Sequence, residues 1–127
     1  MRRRSHHERK FLAVLKHEGP VTIVSPYAQP AAVVNTWMSY VSVVGNELHI
    51  PAAGMHSVEE AAKTDDRVTV TFGSKEVEGT VGPGAGFHVH GRARFESSGP
   101  AFDEKKKQFP WLTRLLVVTI DDIQQKI

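Results

Sequence analysis

The chain has 127 residues, enough for one compact domain with a real core, and its 40% hydrophobic and 24% charged content is that of an ordinary folded protein. It has no cysteine, which excludes a disulfide framework, a thiolate nucleophile and any Cys-ligated metal centre and makes a reducing cytoplasm the expected location. Its apolar runs fall short of the roughly 20 residues of a membrane span, and its net charge of only +2 is not that of a general nucleic-acid binder.

In chain order, the basic residues of the first ten positions (Arg2-Arg3-Arg4, Arg9-Lys10) predict a flexible N-terminus over 1–10, followed by a single domain over 11–127. No secretory apolar segment follows that basic start. Phe11, Leu12, Val14 and Leu15 share one helical face and predict a short amphipathic helix, stopped by Gly19-Pro20. Val21–Ser25 is a β-branched strand that turns at Pro26–Pro30 into the next. Positions 31–44 are almost all apolar, small or aromatic, which predicts one long strand covered on both faces, with Asn35, Trp37 and Ser39 on one side.

Gly45-Asn46-Glu47 turns into a strand over 48–52, whose Pro51 marks its end or an edge. Ser57-Val-Glu-Glu60 has the S-x-x-E form of a capping box and predicts a helix through about Lys63. Arg67–Phe72 alternates, with Val68, Val70 and Phe72 inward. Gly79–Gly86 reads as a glycine-rich loop. Phe87 to Glu96 alternates again, Gly99-Pro100 opens a helix of about ten residues that Pro110 interrupts beside Trp111, and Leu115–Ile120 is a last buried strand before a short tail. The sum is a mostly β fold, a six-stranded antiparallel barrel with two or three short helices.

Two features suggest chemistry. A helix start at Ser57, approached through Gly54, offers backbone N–H groups to a phosphate, although Ser57 could equally cap its own helix; Lys75 is a candidate nearby cation. Trp37 and Trp111 could sandwich a planar ligand or fill the core, and Asn35 and Thr36 need polar partners in a stretch that reads as buried. Other signals are weak. His88 and His90 share a strand face with Arg92 and Arg94, which repel a metal, so they are read as exposed non-ligands. The loop Gly79–Gly86 is neither a dinucleotide fingerprint nor a P-loop, and no G-x-S-x-G or H-E-x-x-H occurs. Lys105-Lys106-Lys107 reads as a solvated helix face.

Taken together, Asn35-Thr36-Trp37 with Ser39-Tyr40, Pro51, Gly54-Met55-His56, Asp66-Arg67-Val68, Gly73-Ser74, Val77, Gly79, Gly82-Pro83-Gly84, Gly86-Phe87, Gly91, Gly99-Pro100 and Trp111 resemble the small bacterial FMN-binding proteins of the pyridoxamine 5'-phosphate oxidase-like split-barrel family. The resemblance spans nearly the whole chain from Phe11. It implies a homodimer of split barrels with one FMN per subunit at the interface. Asn35, Thr36 and Trp37 would line the flavin and its chain, and Pro51, Ala52, Ala53, Gly54 and Met55 would run along the ring and ribityl chain. The start of the Ser57 helix would meet the phosphate, Trp111 would flank the ring, and Glu18 and Ile127 would come from the partner subunit.

The sequence departs from that family in one place. Ser57-Val58 stands where relatives carry a Lys-Thr pair for the phosphate; a charge-assisted contact is worth roughly 1.5–3 kcal/mol, so FMN would bind about tenfold to a hundredfold more weakly unless Ser74, Lys75 or the helix start compensates.

The resulting expectation is an FMN-dependent redox protein, possessing no evident acid or base for substrate chemistry and served by a nicotinamide donor or a redox partner protein. A flavin storage or sensing module is the alternative. Pyridoxamine phosphate oxidation lacks a second phosphate site, and nucleic-acid binding would rest on Arg2-Arg3-Arg4 alone.

Overall fold

The computed structural model describes residues 5–127, so Arg2-Arg3-Arg4 lie outside the described residues. The elements follow in the order α1 (His6–Val14), β1 (Pro20–Ser25), β2 (Ala32–Trp37), a 3-10 turn (Met38–Tyr40), β3 (Ser42–Val44), β4 (Glu47–Ala52), α2 (His56–Ala62), β5 (Arg67–Glu78), β6 (Pro83–Glu96), α3 (Pro100–Gln108) and β7 (Arg114–Gln125). All strands join one antiparallel sheet in the order β2-β1-β5-β6-β7-β4-β3. The sheet curls into a split barrel whose two edge strands, β2 and β3, are joined directly by the 3-10 turn. The split therefore runs beside the stretch that carries Asn35, Thr36 and Trp37.

Alternating side chains of β1, β5 and β6 fill the barrel: Val21 and Ile23, Val68, Val70 and Phe72, Phe87 and Val89 are all buried. Helix α1 closes one end. Its Phe11 meets the rings of Phe72 and Phe87 edge-on, at centroid distances of 5.2 and 5.6 Å.

Several expectations are corrected. Of the stretch 1–10, residues 6–10 lie in α1, which begins at His6 behind Ser5, whose hydroxyl accepts the Glu8 N–H at 3.0 Å as a helix cap. The strand over 31–44 is two strands, which makes the count seven rather than six. It breaks after Trp37 because Glu18 takes both the backbone N–H and the hydroxyl of Ser39, at 3.0 and 2.7 Å, so that the chain cannot continue a ladder there. Nor are both of its faces covered: Val33, Asn35, Trp37 and Ser39 all face outward.

Ser57 is not a cap. Helix α2 begins one residue earlier behind Met55, which adopts a left-handed conformation (φ 63°), and Glu60 pairs with Lys63 at 3.0 Å instead of turning back. The glycine loop shrinks to a tight tip, because Pro83–Gly86 already belong to β6 and pair with β5. The C-terminal tail is strand to Gln125, and Ile127 then bonds both ways with the backbone of Gly86. Among the described residues no helix is long and apolar enough to cross a membrane.

Candidate functional site

Beside the split, a cleft of about 330 Å³ is lined by Val34–Trp37 of β2, Tyr40 of the 3-10 turn, Pro51, Ala53, Gly54 and Met55 after β4, and Trp111 after α3. Residues far apart in sequence meet here because β3 pairs only with Glu47–His49, which leaves the end of β4 open beside the split and β2. The strand period puts Asn35 and Trp37 on the open face of β2, while the buried Thr36 side chain turns inward. The β4–β7 ladder runs through Pro51 to Ala52, paired with Arg114, and the chain then leaves it for the Ala53–Met55 turn.

The cleft is aromatic and uncharged. Trp37 and Trp111 are about half exposed, and Trp111 is held in a three-ring cluster with Tyr40 (5.4 Å) and Phe109 (5.7 Å), which are themselves 5.0 Å apart. These tilted and edge-on contacts fix the indole of Trp111 while leaving it partly open. The Thr22 hydroxyl donates to Asn35 Oδ1 at 2.8 Å, which leaves the Asn35 amide nitrogen as a donor toward a ligand. Such a cleft suits a planar heteroaromatic group, held by stacking and a few edge hydrogen bonds. Its size lies at the lower end of ligand sites, so one side of a bound ring stays open.

Of the residues expected in the site, Asn35, Thr36, Trp37, Pro51, Ala53, Gly54, Met55 and Trp111 line the cleft. Ala52 stands behind its wall, fully buried, with its carbonyl accepting the Thr113 N–H at 2.9 Å. Val58 faces the core and contributes nothing to the cleft surface, because helical spacing from His56 turns it inward. Ser57 is exposed at the start of α2 outside the lining. Ser74 and Lys75 lie on β5, which β1 separates from β2, and Ser74 Oγ accepts the Glu76 N–H at 3.1 Å. Glu18 sits at the Trp37 end of the cleft, where the Ser39 hydroxyl and backbone N–H hold its carboxyl below the usual carboxylate range. Ile127 is half exposed at the end of β7, away from this chain's own cleft.

Two residues escaped the sequence reading. Arg114 donates to the carbonyls of both Ala53 and Gly54, and its Nε lies 2.8 Å from Glu59 Oε1 on α2. Its only sequence signal was its place three residues after Trp111. Lys105 is no solvated helix residue: it is 4% exposed, with Nζ bonded to Ser42 Oγ and 5.3 Å from the centre of the Phe109 ring. Burial pushes its pKa from 10.5 down to about 8.

The unfolded Lys105 keeps its proton to higher pH than the folded one does, so the unfolded state binds more protons between those values and folding gains stability as pH rises through them. Thermal melts should therefore show wild type gaining on Lys105→Met from about pH 8 to about pH 10.5, and level with pH below that window. A constant difference across the whole range would contradict the buried charge.

Elsewhere, a larger hollow of about 550 Å³ lies under α1, but Glu8, Asp121 and Asp122 on its rim disfavour an anionic ligand and its wall offers no tryptophan. His90 pairs with Asp122 at 3.0 Å instead of turning toward His88. Among the described residues no cluster of three or more potential metal ligands occurs. The arginines of the sheet are engaged by carboxylates, Arg92 by Asp66 and Arg94 by Glu47 and Glu96, so they form no free basic surface.

No family model matches the chain. It is 41% identical over 118 residues, 92% of its own length and 96% of the other's, to a curated FMN-binding protein of Nitratidesulfovibrio vulgaris. Among solved structures it resembles an FMN-binding protein of Syntrophomonas wolfei (TM-score 0.66, 16% identity, 84% of this chain and 76% of that one). It also resembles an FAD-binding protein of Mycobacterium smegmatis (TM-score 0.66, 17% identity, 97% and 94%). At these identities the two structures establish a shared fold and nothing finer.

Proposed function

The chain belongs to the small FMN-binding proteins of the pyridoxamine 5'-phosphate oxidase-like split-barrel family, and from that premise we propose that it is an electron-transfer flavoprotein that holds FMN in the cleft beside the split. The observation that carries this reading is the uncharged aromatic cleft, with two half-open tryptophans and one unspent amide donor, in a chain 41% identical to an FMN-binding protein.

In this proposal Trp37 and Trp111 stack against the ring, the Asn35 amide donates to its edge, and the Pro51–Met55 turn follows the ring toward the side chain. When bound, FMN supplies one- and two-electron chemistry. The residues of this chain bind the ring, orient it and exclude water from one face. No cleft side chain is charged or placed as a general acid or base, which favours electron transfer over substrate chemistry that needs proton transfer from the protein.

The half-open cleft also favours a homodimer in which a second subunit covers the exposed side. Trp37, Trp111 and Val33 are large apolar side chains left about half exposed, which a covering subunit would bury. In such a dimer Glu18 and Ile127, which do not line the cleft of their own chain, would serve the partner's site. A flavin storage or sensing role uses the same cleft. Anaerobic mixing of FMN-loaded protein with NADH or NADPH, with and without an added reductase, separates these roles: we expect bleaching only with the reductase, and bleaching by nicotinamide alone would make the protein an oxidoreductase in its own right.

A further inference from the structure

We propose that Arg114 is the positioning residue of the flavin site, acting through the Ala53–Met55 turn and not through contact with the cofactor; this rests on the reading of the cleft as a flavin site. The turn that forms one wall of the cleft is irregular backbone, and Met55 within it occupies the left-handed region at φ 63°, which a non-glycine residue holds only where its surroundings impose it. Arg114 supplies that constraint. From the first position of β7, paired with Ala52 at the end of β4, its guanidinium donates to the carbonyls of Ala53 and Gly54. Its Nε side faces Glu59 Oε1 at 2.8 Å, which ties the first turns of α2 to the same anchor.

Arg114 itself is held from two further sides. Its Nη1 also donates to Thr113 Oγ1, and its guanidinium lies over Phe95 at 5.7 Å from the ring centre. The side chain is only 14% exposed and lines the back of the turn, outside the cleft surface. A planar fork with parallel donors can hold two successive carbonyls, as a single ammonium cannot. The turn is thus set before any ligand arrives, which lowers the ordering cost of binding.

A wall that is fixed in advance gives a specific kinetic signature. Without Arg114 only a fraction of molecules presents the competent turn, and the apparent Kd rises by the inverse of that fraction. The loss then falls on the association rate and leaves dissociation unchanged.

The test uses the full chain as wild type, Arg114→Met, Arg114→Lys and Glu59→Gln. Amide hydrogen exchange over residues 53–57 is measured without ligand, and binding of FMN and of riboflavin is followed by stopped-flow flavin quenching. In Arg114→Met we expect exchange in the turn to accelerate about tenfold or more, with the rest of the barrel unmoved, and both flavins to lose about tenfold in affinity through slower association. Arg114→Lys and Glu59→Gln should fall between this variant and wild type. Unchanged exchange in the turn would overturn the proposal, as would acceleration spread evenly over the barrel. A loss confined to FMN with faster dissociation would also overturn it, by making Arg114 a phosphate ligand. Should wild type bind neither flavin, the flavin reading fails, and the exchange result still decides the role of Arg114 by itself.

Discussion

Replacing Trp37 with alanine is expected to weaken FMN binding by about 5-fold to 150-fold, the equivalent of roughly 1–3 kcal/mol of lost ring stacking, while the melting temperature stays close to wild type. The separation of the two effects follows from exposure. Trp37 is 49% exposed on the open face of β2 and belongs to no aromatic cluster, so its truncation removes little from the core. Trp111→Ala should weaken FMN similarly and also cost stability, because this indole packs on Tyr40 and Phe109, and each aromatic pair is worth about 0.5–1.5 kcal/mol. Fluorescence titration with FMN and thermal melts of the two variants check both halves. Equal affinity in Trp37→Ala and wild type would remove the cleft from consideration as the flavin site.

Gly91→Ala should damage the strand pairing of the barrel severely for a change of one methyl group. Gly91 lies where β6 meets β7 with a register shift, and a Cβ there would be 2.3 Å from the Thr119 carbonyl oxygen and 2.8 Å from Val118 Cγ1. The oxygen is backbone within a long strand pairing and cannot step aside without opening the ladder. Overpacking usually costs about 1–3 kcal/mol, and a clash with fixed backbone falls at the upper end or beyond. A urea midpoint should fall accordingly. Gly54→Ala is the matching control: nothing lies within 4 Å of the Cβ it would carry, and its φ is not positive, so the midpoint should hardly move. Comparable losses in the two variants would contradict this packing at Gly91.

The fold was legible where one face of a strand is dry and the other wet. Val68, Val70 and Phe72 on β5 and Phe87, Val89 and Ala93 on β6 alternate in the sequence as they alternate in the barrel. The composition of positions 31–44 misled because exposed Val33 and Trp37 are as apolar as buried residues; apolar side chains left open for a ligand or partner look like core in a one-dimensional pattern. The break after Trp37 was invisible for another reason, since it is made by Glu18, 21 residues before Ser39 in the chain.

The site was legible in part. Asn35, Thr36, Trp37, Gly54, Met55 and Trp111 announced themselves by residue type and by their joint resemblance to a family pattern. The S-x-x-E motif at Ser57 was a true local signal defeated by context: Glu60 pairs with Lys63 instead of turning back, and the helix starts at His56 with Val58 facing the core. Lys105 and Arg114 were missed because a lysine and an arginine carry no sign of burial in sequence; each is defined by partners 63 and 60 residues away, Ser42 and Gly54.

The family pattern placed a lysine and threonine at the phosphate, where this chain has Ser57-Val58. Val58 is fully buried and Ser57 stands outside the cleft lining, so neither adds a polar group to the cleft. Flavin binding in the cleft is tested most directly by titrating the purified full chain with FMN and following flavin fluorescence and the visible absorption band. Saturable quenching with one FMN per chain and a shifted absorption band are expected, both diminished in Trp37→Ala. FMN that keeps its free fluorescence and spectrum at millimolar protein would contradict a flavin site in this cleft.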